Sequence, residues 1–330
     1  MSDSRSPASP TDDCACSGPD PRARPSIHDN AAEETPYRLH RRFDRLGRMF
    51  GDEAVAALMD MRVAVVGLGG VGCYAAEALA RSAVGHLSLV DFDDVCITNT
   101  NRQLQAMQGT IGKPKAWVLR ERMQLINPQA KIAAHRAFYN QQRSEKLLTP
   151  PWPGRDRYDF VVDCIDNFTA KAHLIATCRD KGIPIVSAMG AAGKLDPTRI
   201  RVADLADAHG CPMARELRKI LRTRHGYPQR GPLGVPAVYS NEKRNWPREL
   251  SYDGGMGFRC ACGTKSDEHS CETRAIIDGT VAYVTGAFGF ACASVVINTV
   301  AKPLIERSTP AVSLKEQRLG KGGGSEGAAG

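Results

Sequence analysis

Short apolar runs and longer amphipathic stretches alternate along this chain, and their order predicts its fold. Val63, Ala64, Val65 and Val66 form a continuous apolar run, as a strand buried on both faces requires. A glycine-rich turn follows, then an alanine-rich helix up to Ser82, then a second apolar strand over 87–90 that ends on Asp91. Downstream, 115–126 reads as a helix opened by Pro114. A strand is predicted over 131–137, a loop over 150–154, a buried strand over 160–163 and a helix to about Lys181. Strands over 185–187 and 200–202 and a helix over 212–225 come next, and 37–57 predicts one or two short amphipathic helices ahead of the first strand. Strands alternating with helices predict an α/β fold, a mostly parallel sheet covered on both faces.

The turn gives the first chemistry. Gly67-Leu68-Gly69-Gly70-Val71-Gly72 sits between strand and helix, and Asp91 closes the next strand 19 residues beyond Gly72. This is the nucleotide-binding half of a Rossmann-like unit. Glycines let the backbone turn tightly, approach a phosphate and pack the helix against the sheet. Helix-start amides then face the phosphates, and the acid accepts hydrogen bonds from ribose hydroxyls. A nicotinamide dinucleotide fits this stretch as well as ATP does, and a glycine turn that binds nothing is the bland alternative.

Composition refines the picture at the ends and on the surface. Residues 1–36 are Ser, Pro, Asp and Arg with few large apolar side chains, so a disordered tail is expected there, and another over 309–330. The domain expected between them spans 37–308. Eleven cysteines occur singly at apolar positions or in two small clusters, and the first thirty residues are polar, so a reducing, cytoplasmic setting is expected. The formal charge of +8 suits a polyanionic partner, although solvated surface explains much of it.

Part of that charge is organised. Arg215, Arg218, Lys219 and Arg222 share one helix face by spacing, either a solvated face or a polyanion contact. A long Gly/Pro-rich stretch over 227–273 sets Tyr239, Trp246 and Tyr252 among basic residues, as a nucleic-acid contact would. The segment 280–300 is almost free of charge and long enough to cross a membrane. Its small and hydroxylated residues favour a core helix, a C-terminal extension packed on the sheet or a dimer interface.

Beyond Asp91 and Asp93 the chain carries Asn99-Thr100-Asn101-Arg102-Gln103, Gly112-Lys113-Pro114-Lys115 and Asp163-Cys164-Ile165-Asp166-Asn167. With the glycine turn, this ordered series resembles the ubiquitin-activating-enzyme-like superfamily of adenylating proteins, over 37–204. The stretches at 76–81 and 98–103, Asp196-Pro197-Thr198, Asp204-Leu205 before the basic helix and Thr285-Gly286-Ala287-Phe288-Gly289 resemble one branch of it, the tRNA threonylcarbamoyladenosine dehydratases, over 37–305.

The resemblance implies ATP and magnesium as cofactors. Gly67, Gly69, Gly70, Gly72, Asp91, Asp93, Asn99 and Gln103 would hold the nucleotide, with Arg102 and Lys115 on its phosphates and Asp166 on magnesium. Arg45 would act as an arginine finger across a homodimer, with Arg48 competing for that role. The implied substrate is tRNA bearing N6-threonylcarbamoyladenosine, contacted through roughly 205–275. A sulfur-transfer protein system is a further implied partner.

Three other readings stand beside this one. An activator of a ubiquitin-like sulfur carrier shares the fold, but such proteins typically bind zinc through paired C-x-x-C motifs, which this chain lacks. Cys260, Cys262, His269 and Cys271 would instead supply three thiolates and an imidazole for zinc, or are reduced loop residues. An NAD-dependent oxidoreductase leaves Arg102, Lys115 and Asp166 without a task. A non-enzymatic tRNA-binding module would bind tRNA and never release AMP.

Overall fold

A computed structural model describes residues 41–248, 250 and 278–307. The expected tails, the Cys260–Cys271 cluster and Tyr252 lie outside the described residues. Two compact units divide the chain, Met1–Arg42 and Phe43–Gly330. Of the first, only Arg41 and Arg42 are described, and both are exposed.

The second unit is built on one seven-stranded sheet in the order β3-β2-β1-β4-β5-β7-β6. Its strands are β1 (Arg62–Val66), β2 (His86–Asp91), β3 (Lys131–Arg136), β4 (Phe160–Asp163), β5 (Ile185–Ala188), β6 (Ile200–Asp204) and β7 (Pro236–Ser240). Every pairing is parallel except β6 with β7, which closes one edge antiparallel. The expected mostly parallel, Rossmann-like α/β fold is therefore observed.

Alternation along β1 explains the layering. Val63 and Val65 point into one core, Ala64 and Val66 into the other. The first core also takes α2 (Asp52–Asp60), α3 (Gly72–Arg81), α4 (Lys115–Ile126) and α8 (Ala282–Ile305). The second takes α5 (Gln141–Leu147), α6 (Phe168–Asp180) and α7 (Pro212–Arg224). A short helix, α1 (Asp44–Phe50), packs on α2 and α8.

Helix α8 is long and apolar enough, by length and composition, to cross a membrane. Val284, Phe288, Cys292, Val296 and Ala301 are nonetheless buried in the first core, where α8 lies along α3 and over the sheet. The C-terminal segment is thus a core helix on the sheet, as its small residues suggested.

Two elements were not legible in the sequence. Strand β7 runs through the stretch read as a loop, so Tyr239 is buried in the sheet and is no surface aromatic. Helix α5 reads QQRSEKL, with only Ser144 and Leu147 buried, too polar to announce itself by periodicity.

Candidate active site

The sheet changes winding direction between β1 and β4, and open α/β sheets bind ligands at such a point, outside the carboxyl ends of the strands. The glycine turn leaves β1 there. Gly67 has φ +90°, and a Cβ on it would stand 2.7 Å from the Cys164 carbonyl oxygen at the end of β4. A Cβ on Gly72, at the start of α3, would overlap the Gly67 carbonyl oxygen. Only glycine lets the turn fold back this tightly, and the fold leaves the first amides of α3 at the carboxyl edge.

Asp91 ends β2 beside this turn. Its carboxylate accepts from Leu68 N at 2.6 Å and from Asp93 N at 2.8 Å, so it ties the turn to the strand end. Burial pushes the Asp91 carboxyl above its ordinary range, while Lys115 and the two amides pull the other way. Lys115, the first residue of α4, donates to Asp93 Oδ2 at 2.7 Å and is itself 5% exposed. Burial works against its ammonium, but Asp91 and Asp93 outweigh it and hold its pKa above the ordinary lysine value. A fixed cation thus stands inside the protein next to the phosphate-sized turn.

The Asn99–Gln103 segment folds over the same turn. Asn99 Oδ1 accepts from Cys96 N at 3.1 Å, closing a single 3-10 turn, Ile97–Asn99. Arg102 Nη1 donates to Thr98 O at 2.7 Å and to Asn101 Oδ1 at 2.9 Å, and its backbone oxygen lies against Gly70. Gln103 is buried and accepts from Gln105 Nε2 at 3.0 Å, and Gln105 also donates to Leu68 O at 2.7 Å. Gln105 is a site residue that the sequence reading missed; it belongs to no quoted motif and is revealed only by its full burial against the turn.

The third side of the site is the turn after β4. Asp163 is fully buried and paired with Lys171 on α6, and Ile165 N donates to Asp163 Oδ1 at 3.0 Å. That fold presents Asp166 to solvent, one residue before the Asn167 side chain caps α6 by accepting from Ala170 N at 3.0 Å. The structure therefore brings Gly67, Gly69, Gly70, Gly72, Asp91, Asp93, Asn99, Arg102, Gln103 and Lys115 around one turn, with Asp166 on the neighbouring loop. Arg45 is exposed on α1. Arg48 is held by Asp44 on its own helix at 2.9 Å.

On α7 the four basic residues expected to share a face do not behave alike. Arg215 and Lys219 are exposed. Arg218 turns back to donate to Leu205 O and Ala208 O at 3.0 and 2.8 Å, and Arg222 donates to Pro228 O at 3.1 Å. Half of the predicted basic face is therefore occupied with holding backbone carbonyls.

A mostly parallel sheet with a glycine cradle at its switch point, a buried lysine beside it and an arginine folded over it is the architecture of a nucleotide-binding protein. The sequence profile of the ThiF family matches residues 43–318. The tRNA threonylcarbamoyladenosine dehydratase of Escherichia coli (strain K12) is 38% identical over 255 residues, covering 77% of this chain and 91% of that protein. The Bacillus subtilis (strain 168) protein of the same name is 41% identical over 204 residues, covering 62% of this chain and 76% of its own. The crystal structure of the E. coli dehydratase in complex with ATP aligns with a TM-score of 0.68 at 34% identity, over 82% of this chain and 98% of that one. The chain belongs to the ThiF family, in the branch of the tRNA threonylcarbamoyladenosine dehydratases.

Proposed function

We propose that this protein uses ATP to dehydrate N6-threonylcarbamoyladenosine in the anticodon loop of tRNA, closing the threonylcarbamoyl group into a ring. The observation that carries the assignment is Lys115, a buried cation fixed by Asp93 beside the glycine turn, in a chain of this family.

The threonine carboxylate attacks the α-phosphorus of ATP, the bond to the pyrophosphate breaks, and an acyl-adenylate forms. Negative charge spreads over the phosphate oxygens in that step, so cations already fixed in place lower the barrier most. Lys115 and Arg102 take that role, the helix-start amides of α3 hold the phosphates, and Asp91 accepts from the ribose. Asn99 and Gln103 shape the segment that carries Arg102. The carbamoyl group then attacks the activated carbonyl, AMP leaves with the bonding electron pair, and a proton is lost. The substrate has lost one water in net terms. Because the second nucleophile is already attached, proximity supplies much of the rate and no enzyme thiol is needed.

Magnesium on a nucleotide takes one or two carboxylates plus phosphate oxygens, and the exposed carboxylate of Asp166 fits that donor set. When bound, the ion would offset phosphate charge. Among the described residues no group of three His, Cys, Asp or Glu side chains is placed to hold a metal. The candidate zinc ligands Cys260, Cys262, His269 and Cys271 fall outside those residues. We further assign the catalytic domain to 37–308, tRNA contact to roughly 205–275, a homodimer in which Arg45 reaches the partner's site, and a cytoplasmic location.

The test is AMP and pyrophosphate release with tRNA that carries or lacks threonylcarbamoyladenosine, followed by nucleoside mass analysis. Release only with modified tRNA, and a product lighter by one water, is the expected outcome. Stimulation by a small protein with a Gly-Gly terminus instead would replace this reading with carrier activation.

A further inference from the structure

Past the end of β7, on the same carboxyl edge as the glycine turn, Trp246 stands 64% exposed. The Arg244 guanidinium lies over its ring, 4.4 Å from the centroid. That guanidinium is not loose. Asp278 accepts from Arg244 Nε at 2.9 Å and from Nη2 at 2.5 Å.

The loop beneath them is clamped to a second segment of the chain, residues 193–196, which is tied in turn to Gly279. Asn245 N donates to Gly193 O at 2.8 Å, and Gly193 N donates to Gly279 O at 2.8 Å. Gly193 has φ +69°, and a Cβ there would stand 3.0 Å from Arg244 Cγ and Asn245 O, so the crossing strongly favours glycine. Glu242 accepts from Leu195 N and Asp196 N at 3.0–3.1 Å, and its carbonyl takes the Lys194 ammonium. An exposed tryptophan on so fixed a loop leaves a large apolar face in water, and such a face suits a planar partner that stacks on it.

The platform is joined to the nucleotide site. Thr280 O, two residues beyond Asp278, accepts from Asn101 Nδ2 at 2.8 Å, and Thr285 touches the space beside Gly70. Strand β7 lies three strands from β1, on the side away from Asp91, which is roughly 14 Å at the usual strand spacing. In the function proposed above, ATP would lie on the other side, with its ribose at Asp91 and its phosphates at the turn. The face at Trp246 is left for a second planar group whose reactive arm points back to the α-phosphate.

We propose that Trp246, held by Arg244, is the stacking platform for the unstacked base of the nucleic-acid substrate, setting the distance at which its carboxylate meets ATP. This rests on the function proposed above. Base–aromatic stacking carries an energy that corresponds to about ten- to a hundredfold in affinity.

The experiment is steady-state turnover of the full-length protein with modified tRNA, comparing Trp246→Ala, Trp246→Phe and Trp246→Leu. For Trp246→Ala the KM for modified tRNA should rise about tenfold or more while the KM for ATP stays within twofold. Trp246→Phe should recover most of the loss and Trp246→Leu should not. A parallel thermal melt confirms that all three variants fold. An unchanged KM for tRNA in Trp246→Ala, equal rescue by leucine, or a rise confined to the KM for ATP would each overturn the platform. Failure of the unsubstituted protein to turn over modified tRNA would overturn the underlying function instead, so the two failures are separable.

Discussion

Lys171 Nζ lies 2.9 Å from Asp163 Oδ2, and both side chains are wholly inside the protein. The lysine also donates to Ile165 O at 3.0 Å, while Asp163 accepts from Ser187 Oγ at 2.7 Å. One buried pair therefore shapes the turn that ends in Asp166.

Removing only the cation should cost more than removing both charges. Lys171→Met strands a buried carboxylate and should destabilise the protein by about 3–5 kcal/mol, read from the denaturant midpoint. The double variant Asp163→Asn, Lys171→Met should recover a large part of that loss. Equal losses in the single and double variants would mean the pair contributes only by packing.

The cation at the glycine turn should matter to rate. Replacing Lys115 with Met removes a fixed charge from the phosphates, and AMP formation should fall about a hundred- to a thousandfold. Arg102→Ala and Asp166→Ala should likewise abolish AMP release while tRNA retention on a filter stays near that of the unsubstituted protein. Retained AMP release in any of the three removes that residue from its proposed role.

Mixing subunits tests whether Arg45 works across a dimer. Arg45→Ala and Asp166→Ala proteins should each be inactive alone. After mixing and exchange, activity should return, because one site per mixed dimer combines an intact Asp166 with an intact Arg45 from the partner. No recovery, with exchange confirmed, would place the arginine in its own subunit's site or outside the reaction. Arg48, already engaged by Asp44, should be dispensable.

Acid stability should report on Glu77, which joins α3 to α4 by accepting from Arg122 at 2.7 and 3.1 Å and from Arg81 at 2.8 Å. Burial alone would raise its carboxyl, but the two arginines outweigh burial and hold its pKa below the ordinary value. Its contribution is therefore complete above the unfolded value near ~4.3 and fades as pH falls through the lower folded value. Glu77→Gln should lower stability by about 1 kcal/mol at pH 7, a figure kept small because both arginines are part-exposed. The gap between variant and parent melts should narrow as pH falls below the ordinary glutamate range and through the lower folded value. A gap independent of pH would assign the effect to shape rather than charge.

The sequence made the cradle legible because its residues are close neighbours: strand, glycines, helix and acid fall within one short stretch with no side-chain geometry required. What stayed hidden depends on distant partners. Lys171 reads as a surface lysine on a helix, and only the fold reveals that Asp163 waits beneath it. Strand β7 is five residues begun by a proline, and its strand character comes from pairing with β5 and β6 rather than from its own pattern. Arg218 and Lys219 are adjacent in sequence, yet one caps carbonyls and the other faces water.

Residues 278–285 touch Arg244, Gly193, Asn101 and Gly70, and they come almost last in the described chain. Strand β1 and the cradle are made early, but the piece that joins the glycine turn to the Trp246 loop follows some two hundred residues later, and long loops must close before these contacts form. A growing chain can thus shape its glycine turn early while its two substrate faces stay unconnected.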